Sequence, residues 1–121
     1  MIPKFRIFDK KKKRFLGDFT MEIDKFGIHV LDEFNYVVDE DDGVLMQSTG
    51  LTDVNGKEIF EGDIVKARWW NIHGDHERVM LVEWNKNELG WNLINKSSTN
   101  MNYEVLGNVH EHPELLIQPN K

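Results

Sequence analysis

At 121 residues, with 40% apolar side chains including four Trp and seven Phe, the chain has the length of one domain and a composition that excludes a disordered one. It has no cysteine, which excludes a disulfide framework and thiolate chemistry and suits a reducing compartment. The net charge of −6 is uneven: residues 1–14 hold seven bases against Asp9 alone, and the rest carries eight bases against twenty acids.

Ile2 to Phe8 alternates loosely and predicts a strand, followed by a turn over Lys10 to Arg14. Phe15 to Ile23 predicts a returning strand that Gly17 weakens. Phe26 to Val30 and Phe34 to Val38 predict a further hairpin. The acidic run Asp39 to Asp42, closed by Gly43, is a self-repelling loop. It marks an expected boundary between an N-terminal β-layer, residues 1–45, and the remainder, 46–121. Leu45 to Val65 is then punctuated by Gly50, Gly56 and Gly62, each beside a turn-favouring residue: Thr49, Asn55 and Asp63. Asn55-Gly56 predicts a type I′ hairpin turn, with positive φ at both residues, and Asp53 an Asx-turn. Glu61-Gly62-Asp63 predicts a second reversal, launching a strand over Ile64 to Trp70. Asn71 to Glu77 is expected as a loop. Arg78 to Trp84, apolar on both faces, is expected as a central strand or one at a subunit contact. Gly90 to Ile94 and Tyr103 to Val109 predict the last strands. His112 to Leu116 predicts one helical turn with Pro113 at its start. No apolar run approaches a membrane span, and the N-terminus lacks a signal-peptide pattern.

Three blocks of residues resemble the YopX family of small phage and prophage proteins. The first is Lys4-Phe-Arg-Ile-Phe-Asp9 with the lysines after it. The second runs from Met46-Gln-Ser-Thr-Gly-Leu through Asp53 to Asn55-Gly-Lys-Glu-Ile-Phe-Glu-Gly-Asp-Ile-Val65. The third is Tyr103-Glu-Val-Leu-Gly-Asn-Val-His-Glu-His-Pro-Glu-Leu-Leu116. The resemblance implies a compact, mostly β protein of phage origin that self-associates and has no assigned activity. The family usually has an aromatic residue where Ser48 stands, and Ala-Trp where Ile7-Phe8 stand.

Several clusters carry candidate chemistry. Gln47, Thr49, Asp53, Asn55, Glu58, Glu61 and Asp63 crowd the central block. They are the types that bind a cation or act as general acid and base, and equally the types that cap turns. The EF-hand spacing fails, because Gly56 is fourth counting from Asp53. His73, Asp75, His76 and Glu77 are zinc-type ligands in a non-zinc spacing, and His110 and His112, two apart on one strand, would face the same side. Trp69 and Trp70 must point to opposite faces, so one of them is a candidate for exposure. With Lys66 and Arg68 it would form a base-stacking platform, while the acidic balance opposes phosphate binding. No Gly-x-Ser-x-Gly elbow or phosphate loop is present, and Ser97-Ser98 lie in a polar stretch.

The expected fold is mostly β with little helix: a small SH3-like barrel over 46–121, with the β-layer of 1–45 packed on it. The expected function is that of a phage accessory protein, a non-catalytic, self-associating interaction module with no cofactor, no catalytic residues and no metal site. Gln47, Thr49, Gly50, Asp53, Asn55, Gly56, Glu61, Gly62 and Asp63 form its structural motif. The alternative is a nucleic-acid-binding module using Arg6, Lys66, Arg68 and Trp70. The partners expected are further copies of the chain, a phage or host protein, or, under the alternative, nucleic acid. No membrane is expected, and the location expected is the host cytoplasm.

Overall fold

The computed structural model describes residues 4–86, 89–93 and 101–117. Ile2, Ile94 and the Ser97-Ser98 pair of the sequence reading lie outside them. The chain is mostly β. The described residues form two compact units, divided between Gln47 and Ser48.

The first unit contains β1 (Phe5–Asp9), β2 (Arg14–Phe15), β3 (Thr20–Asp24), β4 (Gly27–Leu31), β5 (Val37–Val38) and the first half of β6 (Gly43–Thr52). Strand β1 pairs antiparallel with β2 and with β6, from Phe5 opposite Gln47 to Asp9 opposite Gly43. Strands β3, β4 and β5 form a second antiparallel set. Ile7, Leu16 and Val38 make the core, with Phe19, Met21 and Val30 packed against them. The expected single strand from Phe15 to Ile23 is instead two. Leu16 N–H still donates to Ile7 O, but Gly17 N–H turns away to the Glu33 carboxylate at 2.7 Å, which breaks the ladder.

The second unit contains the rest of β6, then β7 (Glu58–Phe60), β8 (Asp63–Asn71), β9 (Gly74–Leu81), β10 (Trp84–Asn85), β11 (Gly90–Trp91), β12 (Asn102–Asn108) and a 3-10 turn over Pro113–Leu116. Strand β8 is central in the order β12-β8-β9. Ile59, Val65, Val82 and Leu93 form a core that is almost fully closed to solvent, with Tyr103 donating its hydroxyl to Leu93 O. Burial pushes the Tyr103 phenol above its usual pKa, partly offset by Arg78.

Three expectations change in this unit. The Asn55-Gly56 turn is not type I′. Gly56 has φ +81°, but Asn55 is not among the described non-glycine residues with positive φ. Gly56 N–H bonds to Asp53 O, and a left-handed glycine then completes the reversal. The expected loop Asn71 to Glu77 is a tight hairpin: Asn71 pairs with Gly74, Trp69 with His76, and only Ile72 and His73 lie between the strands. The polar residues Asp75, His76 and Glu77 hide the strand because they sit on both of its faces. Finally, the strand expected over Arg78 to Trp84 ends at Leu81, and its β9 lies at the end of the described three-stranded sheet, so the central alternative does not hold. Among the described residues no helix is long and apolar enough to cross a membrane.

Candidate functional site

In the central block Ser48, Thr49, Asp53 and Asp63 bind the main chain through their side chains. Thr49 Oγ1 donates to Ile59 O at 2.7 Å and accepts from Leu51 N–H. Ser48 Oγ donates to the Glu58 carboxylate and accepts from Gly50 N–H. Asp53 is only 7% exposed. Its Oδ1 accepts from the N–H groups of Asn55 and Lys57, both at 2.9 Å, and its Oδ2 from Val105 N–H at 3.0 Å. These bonds, that from Val105 first, hold the Asp53 carboxyl below its usual pKa, and burial only partly opposes them. Asp63, 1% exposed, accepts from Phe60 N–H at 2.8 Å. Gly62, at φ +86°, donates its N–H to Val82 O and accepts from Val109 N–H. Gly50, at φ +80°, supplies another left-handed bend. Gln47 is exposed and pairs with Phe5, Asn55 is exposed in its turn, and Glu61 is half-buried. The chemistry of this arrangement is that of a scaffold: its buried carboxylates accept amide protons that the sharp turns leave without strand partners.

The alternative contact set divides. Lys66, Arg68 and Trp70 alternate along β8 and therefore share a face. Trp70 is 62% exposed there. The Arg68 guanidinium lies 3.5 Å from Glu77 and 3.9 Å from Glu104. Asp75, opposite Trp70, adds a third carboxylate to the same face. Acids thus outnumber bases on it, and the two carboxylates nearest Arg68 compete with any phosphate. Trp69 points the other way and stacks on the His76 ring, with centroids 5.5 Å apart. Arg6 belongs to the first unit, where its guanidinium sits 4.7 Å over the Phe15 ring.

The histidines do not converge. His73 lies in the β8–β9 turn and His76 in β9. Strand β12 ends at Asn108, so His110 and His112 stand in the turn after it and not on one strand face. His112 Nδ1 is instead 3.4 Å from Asn108 N. Among the described residues no three His, Asp or Glu side chains are grouped to hold a metal ion.

Sequence reasoning missed a run of exposed apolar residues between positions 23 and 37. Ile23 is 76% exposed and Phe26 81%, and Ile28, Phe34, Tyr36 and Val37 are exposed as well. Two aspartates set the turns that present them. Asp24 Oδ1 accepts from Phe26 N–H at 2.7 Å, and Asp24 also meets His29 Nε2 at 3.1 Å. The Phe26 bond leads in holding the Asp24 carboxyl below its usual pKa. Asp32 Oδ1 accepts from the N–H groups of Phe34 and Tyr36, both at 2.9 Å, while Asn35 takes φ +66°. The available signal was aspartate two residues ahead of an aromatic at both turns, a spacing that fits an Asx-turn.

The YopX family model matches residues 4–117. The chain belongs to the YopX family. Two solved structures share the fold. A crystal structure of protein EF1440 from Enterococcus faecalis is 29% identical, with a TM-score of 0.61, over 96% of this chain and 99% of that one. A crystal structure of YopX from Bacillus subtilis is 20% identical, with a TM-score of 0.59, over 93% of this chain and 96% of that one. No curated protein matches the chain. In this YopX-family chain Ser48 ties β6 to Glu58 of β7.

Proposed function

We propose that this YopX-family protein is a phage- or prophage-encoded accessory protein, acting in the host cytoplasm as a non-catalytic, self-associating interaction module. The observation that supports this most is the set of exposed apolar residues from Ile23 to Val37, on both faces and at both ends of the β3–β5 sheet. Single exposed apolar residues are ordinary, but six within fifteen residues of one small sheet and its turns leave apolar surface for a partner to cover. The use of the central carboxylates as turn acceptors supports a non-catalytic reading, since those groups already have partners. The absence of cysteine suits a reducing compartment. Light scattering across a concentration series is the test. A mass above that of one chain is expected, and a single-chain mass at high concentration removes self-association.

A second reading, single-stranded nucleic acid on the Lys66–Arg68–Trp70 face, is favoured by the exposure of Trp70 beside two bases. Titration with a short single-stranded DNA at two salt concentrations tests it. Binding that weakens with salt supports this reading, and no binding, or binding indifferent to salt, ends it.

A further inference from the structure

The first unit holds a groove of about 280 Å³. Its walls are Ile7, Met21, Ile28, Val30, Val38 and Leu45. Gly43 keeps it open: a Cβ there would stand 3.2 Å from a Val38 methyl. The volume falls below the roughly 300–1,000 Å³ of small-molecule sites and suits one or two apolar side chains.

Three features say what the groove takes. Its rim is acidic. Asp39 and Glu40 line it, and neither carboxylate forms an ion pair among the described residues. Its flank is a strand edge. Strand β3 pairs β4 along its whole length, but β5 pairs it only at Val30 and Leu31. The far edge of Gly27, Ile28 and His29 therefore has no strand against it among the described residues. Its face is the right one. Met21 opposes Val30, and Ile28 lies two residues from Val30, so all three point to the groove side. A residue of an added strand opposite Ile28 would project its side chain to that same side, next to the acidic rim.

From this we infer that the groove binds an extended segment of a partner protein in which an apolar side chain is flanked by Lys or Arg. The apolar side chain fills the slot, the backbone adds to the edge of β4, and the bases meet Asp39 and Glu40. The inference rests on the interaction-module reading but not on self-association. This chain's own basic segment is a poor occupant. Lys11 and Lys12 N–H groups are tied to Asp9 Oδ1, and Asp9 pairs with Arg14, so a second copy presents it as a closed hairpin and not as a strand.

The test is a methyl NMR titration of the full chain with two synthetic pentapeptides, Lys-Leu-Lys-Leu-Lys and Glu-Leu-Glu-Leu-Glu, with light scattering run alongside. Saturable shifts of the Ile28, Val30 and Leu45 methyls are expected with the basic peptide. Binding should be about tenfold weaker for the acidic one, and Glu40→Lys, an exposed loop substitution, should weaken the basic peptide by about fivefold. Silent methyls or equal affinity for the two peptides overturn the inference. Shifts of the Leu45 methyls on concentrating the protein without peptide overturn it too, because Leu45 lies in the groove and outside the Ile23–Val37 stretch assigned to self-association. A monomer whose methyls respond to the basic peptide removes self-association and leaves the groove intact; an oligomer with silent methyls does the reverse.

Discussion

The two units use their side chains in opposite ways. In the second, apolar residues close around Ile59, Val65 and Val82, and buried acids turn inward onto amides. In the first, the core is the smaller set Ile7, Leu16 and Val38, and a run of large apolar residues from Ile23 to Val37 faces solvent. Aspartates build turns in both. At Asp53 and Asp63 the turn locks a strand into a closed core. At Asp24 and Asp32 the turn holds Phe26, Phe34 and Tyr36 out to water. The same local chemistry therefore makes a scaffold in one unit and a display surface in the other, and what differs is the apolar surface around it.

The sharpest way to break this contrast is Asp53→Ala. Three amide donors, including Val105 fifty-two residues away, lose a charged acceptor. The expected cost is about 3–4 kcal/mol in urea unfolding. Gly56→Val should cost about 1–2 kcal/mol by the same measurement. A side chain there meets nothing within 4 Å, so the strain of φ +81° acts alone.

Acid acts on both units, through Asp53 in the second and Glu33 in the first. In the first unit the Arg14 guanidinium, with Gly17 N–H, holds the Glu33 carboxyl at about 2, against an ordinary 4.5. A folded pKa below the unfolded one gives stability that is present above pH 4.5 and lost as pH falls toward 2. Unfolding measured against pH should steepen across that window, and Glu33→Gln should flatten the Glu33 part of the slope. The smallest expected change in stability is for Phe26→Ser, within about 0.5 kcal/mol because the ring is exposed. The same variant should lower the assembly mass in light scattering, whereas Asp53→Asn should lower stability and leave the assembly of the folded fraction unchanged.

The scaffold was far more legible in the sequence than the display surface. Gly56 and Gly62 beside Asn55 and Asp63 mark reversals that need left-handed backbone, and Asp53 has the residue type of an Asx-turn acceptor. These are local signals. The turn type at Asn55 was misread because a left-handed glycine after an ordinary turn reverses the chain as well as two left-handed residues do. The β8–β9 hairpin was hidden by polar residues on both faces of the strand, which erase the alternation that marks a strand. Glu33 gave no signal at all, because its partners Arg14 and Gly17 lie far back in the chain. The exposed apolar residues of β3 to β5 were missed for a physical reason: alternation says that a strand has an apolar side but not that anything covers it. Ile23 and Ile28 are paired across strands like core residues and still face water.

Amide hydrogen exchange on the full chain, followed residue by residue in dilute and concentrated protein, tests the division between scaffold and display surface most directly. The expected result is protection that rises with concentration over residues 23–37, while the Lys57 and Val105 amides, held by Asp53, stay equally protected at both concentrations. Protection that changes with concentration across residues 47–63 and stays constant over 23–37 would contradict it.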